Sequence, residues 1–328
     1  MMIKRAKIVV IGGGTGNFVL LSGLKKYPID LTAIVSVTDS GGSTGRLRTE
    51  FGFLPVGDIR QCLAALAEDN SFIRKILLYR FFKGSGLKGH NLGNLILTAL
   101  TDLTGSEPKA IEVAAKIFRL KGIILPITTK NVQLKALYVD GKEIIGEHEI
   151  DEPKHIGGIK IVKLTTKPRV NIYQPSRTAI LQADLIILGP GDLYTSILPN
   201  LTVKGIKKTF SKTKAKIIYI VNLMTRYSQT HGYTALDHVN AIEKYLGKKV
   251  DFVFMNKSKI PLKIINVYQK EKGYPVRDDL AKETHFKVIR KNFISPTLIQ
   301  KSKGDILQRS FLRHDPKKLA KSITALLK

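Results

Sequence analysis

The chain has 328 residues and one cysteine, and its 54 Lys and Arg against 26 Asp and Glu give a net charge of +28. A hydrophobic fraction of 43% and a charged fraction of 24% are typical of a globular protein and exclude intrinsic disorder. Because Cys62 has no second cysteine to pair with, an internal disulfide and a cysteine-based zinc site are also excluded.

The apolar runs of the sequence are short. Even Ile217–Val221 stays far below the roughly 18 residues that a membrane-spanning helix needs. Residues 1–7 lack the apolar segment of a secretory signal, and a single cysteine is typical of a reducing compartment, so we expect a cytoplasmic protein. The basic residues are scattered singly without interleaved aromatics, which favours a lysine-rich solvated surface over nucleic-acid binding.

In the first half of the chain, apolar runs of strand length alternate with glycine-rich loops and with helical periodicity. Asp58 followed by Gln61 predicts a capping box, and Asn91 predicts a second helix cap. The predicted elements in chain order are strand Lys7–Ile11, helix Phe18–Lys26, strand Leu31–Val37, a helix from Asp58, helix Leu92–Leu103 and a helix from Ser106.

The middle of the chain changes to the two-residue period of antiparallel strands. Asp140-Gly141 predicts a hairpin turn between Val132–Val139 and Glu143–Ile150, with further edge strands at Ile159–Leu164 and Arg169–Tyr173. Alternation then resumes with helix Thr178–Ala183, strand Leu185–Leu188, strand Ala215–Val221, helix Ala235–Leu246, strand Val250–Met255 and a last helix capped by Asp315. We therefore predict a single α/β domain over residues 1–328, with a doubly wound, mostly parallel sheet and a small antiparallel hairpin insertion at about 130–175.

Ligands of an open α/β sheet bind at the carboxyl ends of its strands, and four predicted strand ends carry polar loops. Glycine lets the backbone approach an anion, hydroxyl and N–H groups bind phosphate oxygens, and arginine binds them bidentately. The sequence therefore predicts a nucleotide or phosphate site. Its candidate residues are Gly13, Gly14, Thr15, Gly16 and Asn17 in the first loop, Asp39, Ser40, Gly41, Gly42, Ser43 and Arg46 in the second, Gly189, Pro190, Gly191, Asp192, Tyr194, Thr195 and Ser196 in the third, and Asn222, Met224 and Thr225 in the fourth.

Each of these features also has an interpretation without a ligand. The first loop is not the dinucleotide fingerprint, because Asn17 stands at the third glycine position, and it is not a Walker A loop. A tight turn with close helix packing therefore explains it equally well. Asp39 either binds ribose, as in a dinucleotide enzyme, or forms an Asx-turn. Tyr194 either stacks on a base or packs in the interior, and His90 is more typical of a structural hydrogen bond than of a catalytic base.

Motifs of catalysis are missing from the sequence. There is no Gly-x-Ser-x-Gly elbow, no His-Glu-x-x-His and no obvious pair of catalytic carboxylates. We therefore predict neither a general base nor a metal site formed by the protein alone.

Taken in order, the motifs resemble those of the CofD-like superfamily and, within it, the gluconeogenesis-factor branch of the YvcK type. Eight segments match in the same order, from about Lys7 to the last helix, which makes the resemblance specific. They are Gly12–Gly16, Asp39–Arg48, Pro55–Arg60, Gly89–Asn94, Ala183–Leu201, Asn222–Thr225, Gly232–Val239 and Arg313–Asp315.

The resemblance implies a Rossmann-like fold of the CofD type that binds a nucleotide diphosphate across the strand ends, and Asn91, Asn94 and Arg313 join the candidate site. It implies a uridine-diphosphate sugar such as UDP-N-acetylglucosamine as the ligand. The implied role lies in carbon metabolism, cell-wall synthesis and cell shape, without a settled catalytic activity. Mg²⁺ bound together with the nucleotide is a further implication, although many sequences of this branch carry Asp-Asp where this chain has Asp39-Ser40.

Three alternatives stay open beside a nucleotide-sugar binder. The sister branch, 2-phospho-lactate transferase, moves a phospholactyl group onto a deazaflavin alcohol in coenzyme F420 biosynthesis with magnesium, but no deazaflavin pocket matches this sequence. A nucleic-acid-binding protein is supported by charge alone, and a nicotinamide enzyme by Asp39 alone. The sequence leaves open the base, the sugar and whether the chain forms a homo-oligomer.

Overall fold

The computed structural model describes residues 5–68, 71–153, 157–281, 285–297 and 311–327. In chain order, its strands are β1 Lys7–Gly12, β2 Asp30–Val35, β3 Ile123–Pro126, β4 Gln133–Tyr138, β5 Glu143–Ile145, β6 Ile161–Lys167, β7 Leu185–Leu188, β8 Lys216–Ile220, β9 Phe252–Asn256 and β10 Lys287–Lys291.

The helices lie between the strands and at the end of the chain. They are α1 Gly14–Leu24, α2 Gly42–Phe51, α3 Gly57–Leu66, α4 Ser71–Leu78, α5 Leu92–Thr104, α6 Glu107–Ile117, α7 Glu147–Asp151, α8 Gln174–Gln182, α9 Leu198–Leu201, α10 Ile206–Lys212, α11 Ala235–Leu246, α12 Leu262–Lys270 and α13 Pro316–Thr324. A π-helical turn, Leu193–Ile197, precedes α9.

The main sheet has seven strands in the order β10-β9-β8-β7-β1-β2-β3, and every pairing between them is parallel. Apolar side chains of its strands are buried on both faces: Val9 and Ile11 pack into one hydrophobic cluster, and Ile8 and Val10 into the other. Strands buried on both sides need continuous apolar runs, which explains why Leu185–Leu188 has no polar residue. The prediction of an α/β, doubly wound, mostly parallel sheet is confirmed.

The topological switch point of the sheet lies between β1 and β7. From β1 the chain continues outward to β2 on one side, and it returns much later to β7 on the other. Loops leaving two such strands diverge and open a crevice at the carboxyl ends. The glycine loops that follow β1 and β7 face each other across this crevice.

The small antiparallel sheet, in the order β5-β4-β6, lies within the predicted insertion. The hairpin turn at Asp140-Gly141 is confirmed, but the strand predicted over Glu143–Ile150 ends at Ile145, and α7 follows it. Gly146 adopts a φ of 111°, which ends the strand, and the buried Ile150 anchors the helix. The edge strand predicted at Arg169–Tyr173 is wrong, because that segment forms only an isolated bridge between Asn171 and Lys204.

Several elements were not predicted from the sequence. Helix α2 begins inside the second glycine loop, whose Gly, Ser and Thr residues indicate a loop rather than a helix. Strands β3 and β10 form the two edges of the main sheet and are short, so their periodicity is weak. No helix in the described part of the chain is long and apolar enough to cross a membrane.

Helix α1 packs closely against α13 at Gly23. A Cβ atom at this position would lie well inside van der Waals contact with the Pro316 carbonyl oxygen and at 3.1 Å from the Ala320 Cβ. Gly23→Ala should therefore lower the free energy of unfolding by about 1–3 kcal/mol, the usual cost of overpacking. Urea denaturation measures this value. Gly86→Ala is the matched control, since a Cβ there meets no atom within 4 Å, and an equal loss in both variants would contradict the packing argument.

Candidate functional site

A cavity of about 510 Å³ opens at the switch point of the main sheet. It is lined by the loops after β1, β7 and β8, by the end of α12 and by the segment before α13. A volume in this range suits a ligand of nucleotide size. The predicted residues that line it are Gly13, Thr15, Gly16, Pro190, Gly191, Asp192, Ser196, Asn222, Met224, Thr225 and Arg313.

The glycine loops after β1 and β7 are in backbone contact at this cavity. Gly13 is the extended N-cap of α1, and Gly14 begins the helix with a φ of 61°, a left-handed conformation that favours glycine. A Cβ atom on Gly16 would overlap the carbonyl group of Pro190 in the loop after β7. Gly16 is therefore required by packing, and the close contact aims the N-terminus of α1 at the crevice.

Asp58 does not cap its own helix, contrary to the sequence-based prediction. Helix α3 begins at Gly57 with Val56 as its N-cap, so Asp58 lies in the first turn. Its Oδ1 instead accepts a hydrogen bond of 2.7 Å from the Gly14 N–H. A carboxylate at this place satisfies an N-terminal donor of α1 and interacts favourably with the helix dipole.

A smaller cavity of about 150 Å³ adjoins the first and is strongly polar. Both cavities share the side chains of Thr15, Asp151, Asp192, Ser196 and Arg226. The predicted residues that line the smaller one are Gly14, Thr15, Asp39, Gly41, Ser43, Asn94, Asp192, Thr195 and Ser196. The loop after β2 thus lies beside the main crevice rather than across it.

Asp39 and Asn94 are held in place by local hydrogen bonds. Asp39 Oδ1 accepts a hydrogen bond of 3.0 Å from the Gly41 N–H, which is the Asx-turn that the sequence allowed. Asn94 donates to Ser43 Oγ at 3.2 Å, and its Oδ1 accepts from Arg60 Nε at 2.8 Å. Asn91 caps α5 by accepting from the Asn94 N–H, as predicted.

The remaining predicted site residues line neither cavity: Asn17, Ser40, Gly42, Arg46, Asn91, Gly189 and Tyr194. The Tyr194 hydroxyl bonds the Tyr233 hydroxyl at 2.8 Å and the Ile161 carbonyl at 3.2 Å, so the side chain packs in the interior. Arg46 donates to the Lys88 carbonyl at 3.1 Å, and Ser40 Oγ accepts from the His148 N–H at 3.0 Å. His90 likewise contacts Ser43 Oγ at 3.3 Å.

Arg226 joins the antiparallel insertion to the main crevice. It contacts the Asp151 carboxylate of α7 at 2.5 Å and the Asp192 carboxylate of the β7 loop at 3.4 Å. Gln229 also donates to Asp151 at 2.6 Å and to Thr195 Oγ1 at 3.1 Å. Charge-assisted pairs that are largely shielded from water fix geometry strongly, so these contacts set the position of α7 over the site.

The smaller cavity concentrates negative charge. Burial raises the pKa of Glu147 well above its usual value, and the neighbouring carboxylates of Asp39, Asp151 and Asp58 raise it further. Burial also raises the pKa of Asp151 to about 7, although Arg226 acts in the opposite direction. Burial among like charges therefore favours the protonated form of Glu147, and the pKa of Asp151 lies near neutral pH.

Sequence reasoning missed the residues that complete this arrangement. Arg226, Gln229, Glu147 and Asp151 lie outside every glycine loop, and only the fold brings the insertion onto the crevice. Three aromatic residues also line the larger cavity: Tyr227, Tyr268 and Phe311. A sequence signal existed for Asp58 alone, since it directly follows a glycine in a motif of the resemblance.

A metal site of the protein alone is not formed by the described residues. No three acidic, histidine or cysteine side chains among them converge as ligands of one ion. Asp39 and Asp58 are already engaged with backbone N–H groups of the glycine loops. The described residues therefore do not fit Mg²⁺ unless phosphate oxygens supply further ligands, as they do in many magnesium sites.

Comparison with known proteins shows the family of the chain. Residues 8–294 match the family model described as 2-phospho-L-lactate transferase CofD. The chain belongs to the CofD family. The predicted CofD-like superfamily is thereby confirmed, together with its gluconeogenesis-factor branch through the relatives below.

Two curated relatives carry the name gluconeogenesis factor. That of Bacillus subtilis is 41% identical over 330 residues, covering 100% of both chains, and that of Halalkalibacterium halodurans is 39% identical over 322 residues, covering 98% of this chain and 96% of the relative. A crystal structure of a UPF0052 family member from Bacillus halodurans superposes with a TM-score of 0.89 and 36% identity, covering 98% of this chain and 99% of that chain.

His314 of this CofD-family chain lines the larger cavity and is 6% exposed. Burial lowers its pKa to about 4, against a backbone hydrogen bond to Val221 that acts in the opposite direction. Since the folded pKa lies below the ordinary value of 6.5, His314 contributes stability that is complete above pH 6.5 and is lost as the pH falls toward 4. At about 1.4 kcal/mol per pKa unit, the loss is about 3 kcal/mol.

Between pH 7 and pH 4.5, the free energy of unfolding of His314→Asn should therefore fall by about 2–3 kcal/mol less than that of the original chain. Urea denaturation at the two pH values measures this difference. The half-exposed His148, changed to Asn, is the matched control. Equal pH dependence in the original chain and in His314→Asn would show that this histidine is not responsible.

Proposed function

We propose that this CofD-family chain is a cytoplasmic binding protein for a nucleotide sugar of the UDP-N-acetylglucosamine type. Its role would be the regulation of carbon metabolism, cell-wall synthesis and cell shape. One observation carries the proposal: a cavity of about 510 Å³ is lined both by the glycine loops after β1 and β7 and by aromatic side chains. Such a cavity offers backbone donors for phosphate and ring surfaces for a base.

The phosphate end is supported by backbone groups more than by side-chain charge. Asp151, Glu152, Asp192 and Glu271 line the larger cavity together with Arg226 and Arg313, so the side chains alone are not predominantly cationic. The N-terminus of α1 offers N–H groups and partial positive charge at Thr15 and Gly16. We therefore place the diphosphate against the first turn of α1.

We assign the base and sugar to the remaining lining residues of the same cavity. Phe311 lines it and is 37% exposed, so its ring offers a stacking surface. Asn222 lines the cavity as well, and its Oδ1 is buried without a hydrogen bond from the described residues. A ligand N–H or O–H group that satisfies this acceptor would remove an energetic cost.

Binding without turnover is the form of the proposal that the residues favour. Asp39 and Asp58 each accept a hydrogen bond from a backbone N–H group of a glycine loop, which is a structural role for both carboxylates. The name gluconeogenesis factor, given to relatives that match the whole chain, is in keeping with a regulatory role.

A transferase of the CofD type is the second candidate, and two observations favour it. The matching family model carries the name of 2-phospho-L-lactate transferase. The smaller cavity also gathers Asp39, Asp58, Glu147 and Asp151 next to the proposed phosphate position. Carboxylates there could hold Mg²⁺ only together with nucleotide phosphates.

Saturating UDP-N-acetylglucosamine should stabilise the fold by about 2.7 kcal/mol at 100 times its dissociation constant, measured as a thermal shift at physiological salt. Thr15→Phe places a large ring where both cavities meet and should abolish the shift. Thr49→Phe is the matched control, because Thr49 is exposed on α2 and lines neither cavity, and it should retain the full shift. A shift with GDP or NAD but with no uridine nucleotide would contradict the proposed ligand.

The Asp39→Asn variant distinguishes a binding protein without turnover from a transferase. A binding protein should lose at most about 1.5–3 kcal/mol of affinity, the range for a hydrogen bond to a charged group. Phosphorus NMR of the bound nucleotide sugar with Mg²⁺ should show an unchanged spectrum over hours. Cleavage that the original chain performs and Asp39→Asn does not would establish the transferase instead, since phosphoryl transfer depends on stabilising the developing charge.

A further inference from the structure

We propose that a second cavity, at the opposite end of the main sheet, binds an amphiphilic anion, that is, a molecule with an acidic head group on an apolar body. The cavity measures about 810 Å³ and is formed by the beginnings of β1, β2 and β3 together with α8. Among the described residues, it shares no lining side chain with the candidate nucleotide site. We call it the amino-end cavity.

The floor of the amino-end cavity is one face of the sheet, which is buried at Val9 of β1 and exposed at the edge strand β3. Val9, Thr32 and Ile123 stand in register on β1, β2 and β3, so they share one face. Ile123 is 59% exposed, and Leu125 beside it is only partly buried. The other face of these strands packs into a closed cluster with residues of α1, α3 and α6. Partly exposed apolar side chains in a cavity of this size offer a surface on which an apolar group can pack.

The rim of the amino-end cavity is cationic. Arg5, Lys7, Lys25 and Lys121 line it, and Asp30 is the one acid among the described lining residues. This excess of three positive charges surrounds an apolar floor rather than a flat polar surface. An anionic head group therefore complements the rim, while an apolar body complements the floor.

Helix dipoles do not account for these charges. Lysines are common at helix C-termini, where they interact with the partial negative charge. Lys25 follows α1 in this way, and its Nζ donates to the Ala67 carbonyl at 2.6 Å. Lys7 instead begins β1, Arg5 precedes it, and Lys121 lies beyond the last turn of α6. These three side chains are the proposed anion contacts, although Lys7 Nζ also contacts Gln182 Oε1 at 3.4 Å.

Strand addition by an extended peptide is a poorer explanation of the same surface. The edge strand β3 has four residues and ends at Pro126, which has no N–H to donate. The Pro126 carbonyl already accepts a hydrogen bond of 2.7 Å from Ser176 Oγ. A short edge blocked by proline resists pairing, so side chains rather than backbone groups must hold the ligand.

The test uses decanoate as the probe and an engineered fluorophore. The chain contains no tryptophan, so Thr178→Trp, at an exposed position of α8 that lines the cavity, introduces a single reporter. Titration with decanoate below its micelle concentration should give a saturable emission change. Decyltrimethylammonium, which has the same chain length and the opposite charge, should bind at least tenfold more weakly. Calorimetry with the unsubstituted chain measures the same binding without the reporter.

Lys121→Glu should weaken decanoate binding at least fivefold. Lys287→Glu is the matched control, because Lys287 begins β10 at the same end of the sheet but lies outside the cavity, and it should leave the affinity unchanged. The proposal is overturned by an absence of saturable binding, by equal affinity for the two surfactants, or by equal weakening in both lysine variants. None of these outcomes bears on nucleotide-sugar binding, which the thermal shift measures separately.

Discussion

The arrangement of the candidate site depends on one backbone contact, between Gly16 at the start of α1 and the Pro190 carbonyl in the loop after β7. Any side chain at Gly16 would separate the two loops, because a Cβ atom has no room there. The contact holds the N-terminus of α1 over the switch point. The partial positive charge and the N–H groups of a helix N-terminus favour an anionic ligand group at this place. Asp58 reinforces this position by accepting a hydrogen bond from Gly14.

The insertion adds a second constraint through charge. Arg226 lies between Asp151 of α7 and Asp192 of the β7 loop, so the position of the small sheet depends on an ion-pair network at the site. Burial raises the pKa of Glu147 in this region, and the neighbouring carboxylates of Asp39, Asp151 and Asp58 raise it further. The ion pairs thus fix the position of the small sheet, while the carboxylates around them repel one another. Such destabilising groupings of like charge are typical of functional regions.

The sequence predicted the central part of the fold because its signals are local. Leu185–Leu188 and Ala235–Leu246 match the structure residue for residue, since a continuous apolar run and a capped amphipathic helix leave few alternatives. The polar loops at strand ends likewise predicted one part of the larger cavity, the loops after β1, β7 and β8. The prediction failed where the contact is long-range. Asp58 accepts a hydrogen bond from Gly14, 44 residues away, instead of capping its own helix. No local pattern reports such a partner.

Tyr194 and Arg46 show that side-chain direction is also set by long-range contacts. Each stands in a loop whose neighbours line a cavity, yet each side chain points to a partner in another segment, Tyr233 and Lys88 respectively. Proximity in sequence therefore predicted the loops of the candidate site better than it predicted the direction of individual side chains. The residues of the insertion, Glu147 and Asp151, were invisible for the related reason that only tertiary packing brings them there.

The pairing of β1 with β7 joins Ile8 to Leu185 and has a consequence for synthesis on the ribosome. The amino-terminal strands can pair with each other early, but one edge of β1 has no neighbour until β7 has emerged. A growing chain thus carries an open, apolar strand edge for more than half of its translation, and such edges invite association with other chains. The crevice at the switch point cannot exist before that moment, so a ligand bound there can assist only the late steps of folding.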